Sequence, residues 1–185
     1  FEYLKDKNIL ISSGNGKALI KSKNLSIQFE KAVFNQNDLT LNAEGNIKIN
    51  HTLKKFFILT EKIFYDQLNN LIKSTTKTKM TDGFENIYIV DTFIFETDKD
   101  LLKVENLLSK DKNRNIIETE LAYINTKSGK LFGKDVNMNF NNSSFNKDNE
   151  PRLKAISITK DEDITELTKG VFTTCKKRDG CPPWE

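Results

Sequence analysis

The chain has 185 residues and a mass of 21.3 kDa, enough for one domain with a sizeable core. Hydrophobic residues make up 37% and charged residues 30%, too apolar and periodic for disorder yet polar enough for thin sheets with one wet face. The net charge of +3 comes from lysines that alternate with apolar residues along the whole chain, unlike the clustered basic footprint of a nucleic-acid binder, so no nucleic-acid partner is expected.

Read from its start, the chain opens a repeat at Tyr3. An aromatic residue recurs at Phe34, Tyr65, Phe95 and Tyr123, at spacings of 31, 31, 30 and 28. Each is followed by a short polar turn and then an apolar residue: Ile9, Leu39, Leu71, Leu101, Leu131. A unit of about two strands buries no apolar face alone, so stacked copies must share a continuous core or groove. Lys5 to Asn8 and Ser13-Gly14-Asn15-Gly16 read as turns. Gly14-Asn15-Gly16-Lys17 lacks the spacing and the strand-to-helix context of a phosphate loop and reads as a hairpin turn. Strict alternation predicts a strand over Leu25 to Glu30, and a pair, Leu39 to Ala43 and Ile47 to Ile49, around Glu44-Gly45-Asn46. His51 falls in a turn with no nucleophile nearby. Further strands are predicted over Phe57 to Thr60, Ile63 to Tyr65, Tyr88 to Val90, Thr92 to Glu96, Val136 to Phe140 and Lys154 to Thr159. The polar stretch from Asn141 to Glu150 marks the end of the repeats, and a helical turn is expected over Asp163 to Lys169, closed by Gly170.

The fold class is therefore all-β, with stacked antiparallel strands. Residues 1–150 hold the repeats, and 151–185 the last strand or strands and a connector with Cys175 and Cys181. Their spacing fits neither a zinc site nor a Cys-x-x-Cys redox motif. They would pair with each other or with cysteines elsewhere in an oxidising compartment, or remain thiols in the cytosol. No apolar run approaches the ~20 residues of a membrane helix, and the chain, beginning at Phe1 and ending at Glu185, reads as a piece of something longer. The inward face is expected to include Ile27, Phe29, Leu41, Ile49, Leu59, Tyr65, Ile89, Phe95 and Phe140. Alternation is the same whether they fill a closed core or line an open groove for lipid. Nothing in the pattern supplies a catalytic constellation, a metal site or a cofactor site, so an enzyme is not expected.

Thr168 to Cys175, followed by Cys181-Pro182-Pro183-Trp184, resembles the segment that joins the periplasmic domain to the barrel in the lipopolysaccharide-assembly outer-membrane protein family (LptD, OstA type). The repeats resemble that family's OstA-like domain, with Leu39-Thr40-Leu41-Asn42-Ala43-Glu44-Gly45-Asn46-Ile47 as the best copy and Tyr65-Asp66 supplying the aromatic-Asp element of the next. Phe34 is followed by Asn35 rather than Asp, and Lys77 stands where Gly45 would recur. The repeat is shared with bridge proteins of the same pathway; the Cys-to-Pro-Pro-Trp end favours the barrel protein. The resemblance implies a periplasmic β-jellyroll, open along one side, that receives lipopolysaccharide acyl chains and passes them to an outer-membrane barrel. It implies edge-strand pairing with a periplasmic bridge protein, a plug lipoprotein reached through the barrel, and disulfides from Cys175 and Cys181 to barrel cysteines. The other readings are a bridge protein without a barrel and a glycan-binding or structural β-solenoid.

Overall fold

Alternating apolar and polar residues place one side of a strand in the core and the other in water, and nearly every segment here obeys that rule. The computed structural model describes residues 1–53, 55–141, 143, 145, 149–161 and 164–176, and their regular structure is nearly all strand, with short 3-10 turns such as Lys5–Lys7 and Lys21–Lys23. The strands are β1 (Glu2–Leu4), β2 (Ile9–Ser12), β3 (Gly16–Ile20), β4 (Leu25–Phe29), β5 (Lys31–Asn35), β6 (Thr40–His51), β7 (Phe56–Asp66), β8 (Leu71–Ser74), β9 (Thr78–Thr81), β10 (Ile87–Val90), β11 (Thr92–Glu96), β12 (Leu101–Lys110), β13 (Ile116–Asn125), β14 (Leu131–Asn139), β15 (Arg152–Lys160), β16 (Thr165–Thr168) and β17 (Val171–Thr173). All belong to one antiparallel sheet, and no helix among the described residues is long and apolar enough to cross a membrane.

The register shows that several of these are halves of longer rungs. β6 pairs with β5 along its first half and with β4 along its second; β7 pairs with β9 and then β8; β12 pairs with β11 and then β10; β15 pairs with β17 and then β16. β2–β3, β4–β5, β8–β9, β10–β11 and β16–β17 are therefore single rungs bent in the middle. The long strands bend too: β6 carries a bulge between Glu44 and Ile47, with Gly45 at φ 79° and Asn46 at φ 45°, and Asn106 in β12 and Asp135 in β14 also have positive φ.

This corrects three local readings. Glu44-Gly45-Asn46 is a bulge inside one strand, not a turn between two. Ser13 to Asn15 is a corner within a rung, since β2 pairs with β1 and β5 while β3 pairs with β4. A Cβ on Gly16, which opens β3, would collide with the Phe29 ring, whereas Gly14 within the corner faces open space. The segment read as a helical turn contains β16, which pairs with β15; Thr165, Thr168 and the Leu167 between them suit an edge strand better than a helix. The repeats also continue past Asn141 to Glu150, because β14 and β15 pair from Asn139↔Arg152 to Leu131↔Lys160.

The repeat of about thirty residues is one up-and-down pair of rungs, and its turns stack. The amide of Gln36 donates to the carbonyl of Asn8, Gln67 to Leu39, Thr97 to Asn70 and Thr126 to Asp100, each at 2.8–3.1 Å. Every acceptor in this row has left-handed backbone: Asn8 at φ 52°, Leu39 at 52°, Asn70 at 53° and Asp100 at 56°. Asp66 fixes the next turn by accepting from the Asn69 amide and side chain at 2.9 and 2.7 Å, which is what the Tyr65-Asp66 element does structurally.

Asn and Asp tolerate left-handed backbone, whereas Leu39 adopts it at a steric cost. Leu39→Asn should therefore raise thermal stability by about 0.5–1 kcal/mol, a few degrees in Tm for a chain of this size, in a calorimetric melt. An unchanged or lower Tm would contradict the assignment.

Candidate functional site

Cross-strand partners on the inward face form two ladders, one in each half of the bent rungs. The first runs Tyr3, Leu10, Phe34, Leu41, Tyr65, Ile72, Phe95, Leu102, Ile124, Leu131. The second runs Ala18, Ile27, Ile49, Ile58, Met80, Tyr88, Ser109, Ile117, Met138, Leu153, Phe172. The halves meet: the rings of Phe56, in the second, and Phe95, in the first, lie 5.9 Å apart. Between β4 and β12 this interior is filled, with Ile27, Ile58, Ile72, Val90, Leu102 and Val104 all fully buried.

Of the predicted inward residues, Ile27, Phe29, Leu41, Ile49, Tyr65 and Phe95 are buried in this core. Phe140 is half-buried just beyond β14, its ring 5.8 Å from that of Phe172. Leu59 and Ile89 are corrections. Leu59 is 46% exposed and Ile89 half-buried on the outer face, where Leu59 pairs with Lys48 and Lys79, and Ile89 with Lys79 and Leu108. The cause is a phase slip in the middle of the rung. Glu61 and Lys62 both point outward, so β7 buries Phe56, Ile58 and Thr60 in one half but Ile63 and Tyr65 in the other. Asp91 and Thr92 do the same between Val90 and Phe93. A one-residue slip exchanges the faces. Tyr123 is likewise out of phase: it pairs with Phe132 outside, and Ile124 takes the inward place. His51 is the last residue of β6 and buried, rather than a turn residue.

Past Ser109 the core opens into a cavity of about 670 Å³, within the range of small-molecule sites. Its wall includes Tyr88, Ser109, Ile117, Leu131, Met138, Phe140 and Leu167; its rim is the turn Gly83–Asn86, Asp111, Lys112, Asn113, Asn115, Gly129, Lys160, Asp161 and Thr165. Tyr88, Ser109 and Met138 were absent from the predicted face. Their signal was cross-strand register, which alternation within one strand does not carry.

Two equivalent turns build the rim. Asp82 accepts from the Asn86 amide and side chain, both at 2.9 Å, and Asp111 accepts from those of Asn115 at 2.9 and 3.0 Å. The Asp-x-x-x-Asn spacing, repeated 29 residues on, is a sequence signal for this rim. The Tyr88 hydroxyl donates to Asp82 at 2.6 Å, and burial with the adjacent carboxylate pushes the phenol far above its ordinary value, so it stays neutral. Burial pushes the Asp111 carboxyl up, but the ion pair with Lys160 at 2.8 Å and the Asn115 hydrogen bonds outweigh it and hold the carboxyl below its usual range.

Arg152, only 8% exposed, donates to the carbonyls of Cys175 at 2.7 Å and Glu150 at 3.1 Å. It thereby anchors the backbone on which Cys175 is exposed. Cys181 lies outside the described residues. Among the described residues no group of three or more His, Cys, Asp or Glu side chains is placed to hold a metal. No protein-family model matches the chain, and no curated protein matches it.

Because the folded Asp111 carboxyl sits below its unfolded value, near 3.9, its stabilising contribution is present above that value and lost as pH falls through the folded one. Asp111→Asn should lower Tm at pH 7, and the gap from the parent should close below about pH 4. A gap that persists to pH 2 would contradict the role given to Lys160.

Proposed function

We propose that this chain is a β-jellyroll of the OstA type that receives lipopolysaccharide acyl chains and hands them on at the periplasmic face of the outer membrane. The carrying observation is an apolar-walled cavity between two facing half-sheets, rimmed by polar turns at the ends of the rungs. A wall of Ile117, Leu131, Met138 and Phe140 suits acyl chains; the rim is polar and of mixed charge, with Lys112 and Lys160 beside Glu85, Asp111 and Asp161, and suits a hydrated head left outside. Each acyl CH₂ moved from water to such a wall contributes ~0.8 kcal/mol, so partial insertion holds a lipid without trapping it. No bond is made or broken. Movement is directional only through supply behind and removal ahead.

The sheet's edges and the connector offer places for the partners of this reading. β1 and β3 at one end, and β16 and β17 at the other, each lack a partner on one side within this chain's described register, and an unpaired edge accepts a further strand. In this reading one edge takes a periplasmic bridge protein, Cys175 and Cys181 pair with barrel cysteines, and the plug lipoprotein is reached through the barrel. The filled interior from β4 to β12 favours a second reading, a structural or glycan-binding β-solenoid with a closed core.

Benzophenone residues at Leu131, Met138 and Phe140 should cross-link to lipopolysaccharide on irradiation, while Gln28, Lys48 and Leu59 should not. Labelling from the outer positions alone, in folded protein, would replace the lipid reading with the closed-core one.

A further inference from the structure

The outer face of the second half-sheet is not uniformly polar. One cross-strand row on it runs Lys48, Leu59, Lys79, Ile89, Leu108, Glu118, one residue from each of β6, β7, β9, β10, β12 and β13. Leu59 is 46% exposed and Leu108 36%, with Ile89 half-buried between them. Charge is divided along the row. Over β3 to β7 a groove is lined by Lys17, Lys21 and Lys48 and by no carboxylate. Over β12 to β15 another is lined by Glu118, Glu120 and Asp135, with Lys154 beside them. No ion pair forms at Lys48, Lys79 or Glu118 among the described residues, whereas Lys62 pairs with Glu44 and Lys99 with Glu96.

A partner of one charge would suit one end of this row and be repelled at the other. The row is instead complementary to itself. A second copy, given a half-turn about an axis parallel to the strands and between β9 and β10, sets Lys48 opposite Glu118 and Leu59 opposite Leu108. Each of these contacts then occurs twice, as twofold symmetry requires. Lys79, beside the axis, lays its aliphatic stem over Ile89 of the second copy and keeps its ammonium in water. Twisted sheets commonly stack face to face in this aligned way. We propose that this outer face is the contact of a twofold dimer of the chain. The cavity described above lies on the opposite face of the sheet, so the dimer does not depend on what fills it.

The test uses the full chain with Cys175→Ser and Cys181→Ser, so that no disulfide joins two copies, and reads mass by sedimentation equilibrium over a concentration series. The parent should show monomer and dimer and nothing larger. Lys48→Glu and Glu118→Lys, each alone, should weaken association by ~10-fold or more, because like charges then face each other across the contact. Mixing the two variants should restore the dimer, since each offers the other its complement, and so should both changes in one chain. Both positions are exposed, and circular dichroism checks that each variant keeps the sheet. A parent that stays monomeric throughout would overturn the proposal. A dimer indifferent to Lys48→Glu, as one joined through the sheet edges would be, would overturn it too, as would a mixture that associates no better than either variant alone.

Discussion

The architecture depends on what happens in the middle of each rung. A strand of strict period two keeps one face throughout and builds a sheet with one core side and one wet side. Here Glu61-Lys62 in β7 and Asp91-Thr92 where β10 passes into β11 break the alternation, and Gly45 and Asn46 do so through a bulge in β6. Charged and left-handed residues at these positions re-aim the chain, so both halves of a rung bury their apolar residues against each other. The two ladders, the facing turns and the cavity all follow from that bend.

The turns set the repeat, and the ladders decide what fills it. Stacking of one turn's amide on the previous turn's left-handed residue recurs from Asn8 to Asp100 whatever lies inside. The interior varies freely under that constraint. Ile27, Ile49, Ile58 and Met80 close the second ladder, while Ser109 is too small to cross to the opposite half, and the cavity begins beside it. A uniform scaffold thus carries a local site, and rim residues such as Lys160 and Asp111 hold the two halves in contact above it.

The all-β class and the repeat were legible because alternation and turn chemistry are local. Leu25 to Phe29 and Thr92 to Glu96 are found where the pattern places them. Leu59 and Ile89 were misplaced because each shares the sequence parity of a truly inward residue, Tyr65 and Phe95, across a slip that parity alone does not show. The bulge at Gly45 resembled a turn because both need positive φ. The cavity was not legible, since it arises where Tyr88, Ser109, Ile117 and Met138, distant in sequence, come into register.

Uptake of acyl chains into the space between the half-sheets is read from methyl-labelled Ile, Leu and Met resonances recorded while lipopolysaccharide is added. Ile117, Leu131 and Met138 should shift or broaden in a saturable way, while Ile89, Leu108 and Ile156 on the outer face stay put. Saturable changes at the outer methyls with silence inside would contradict it.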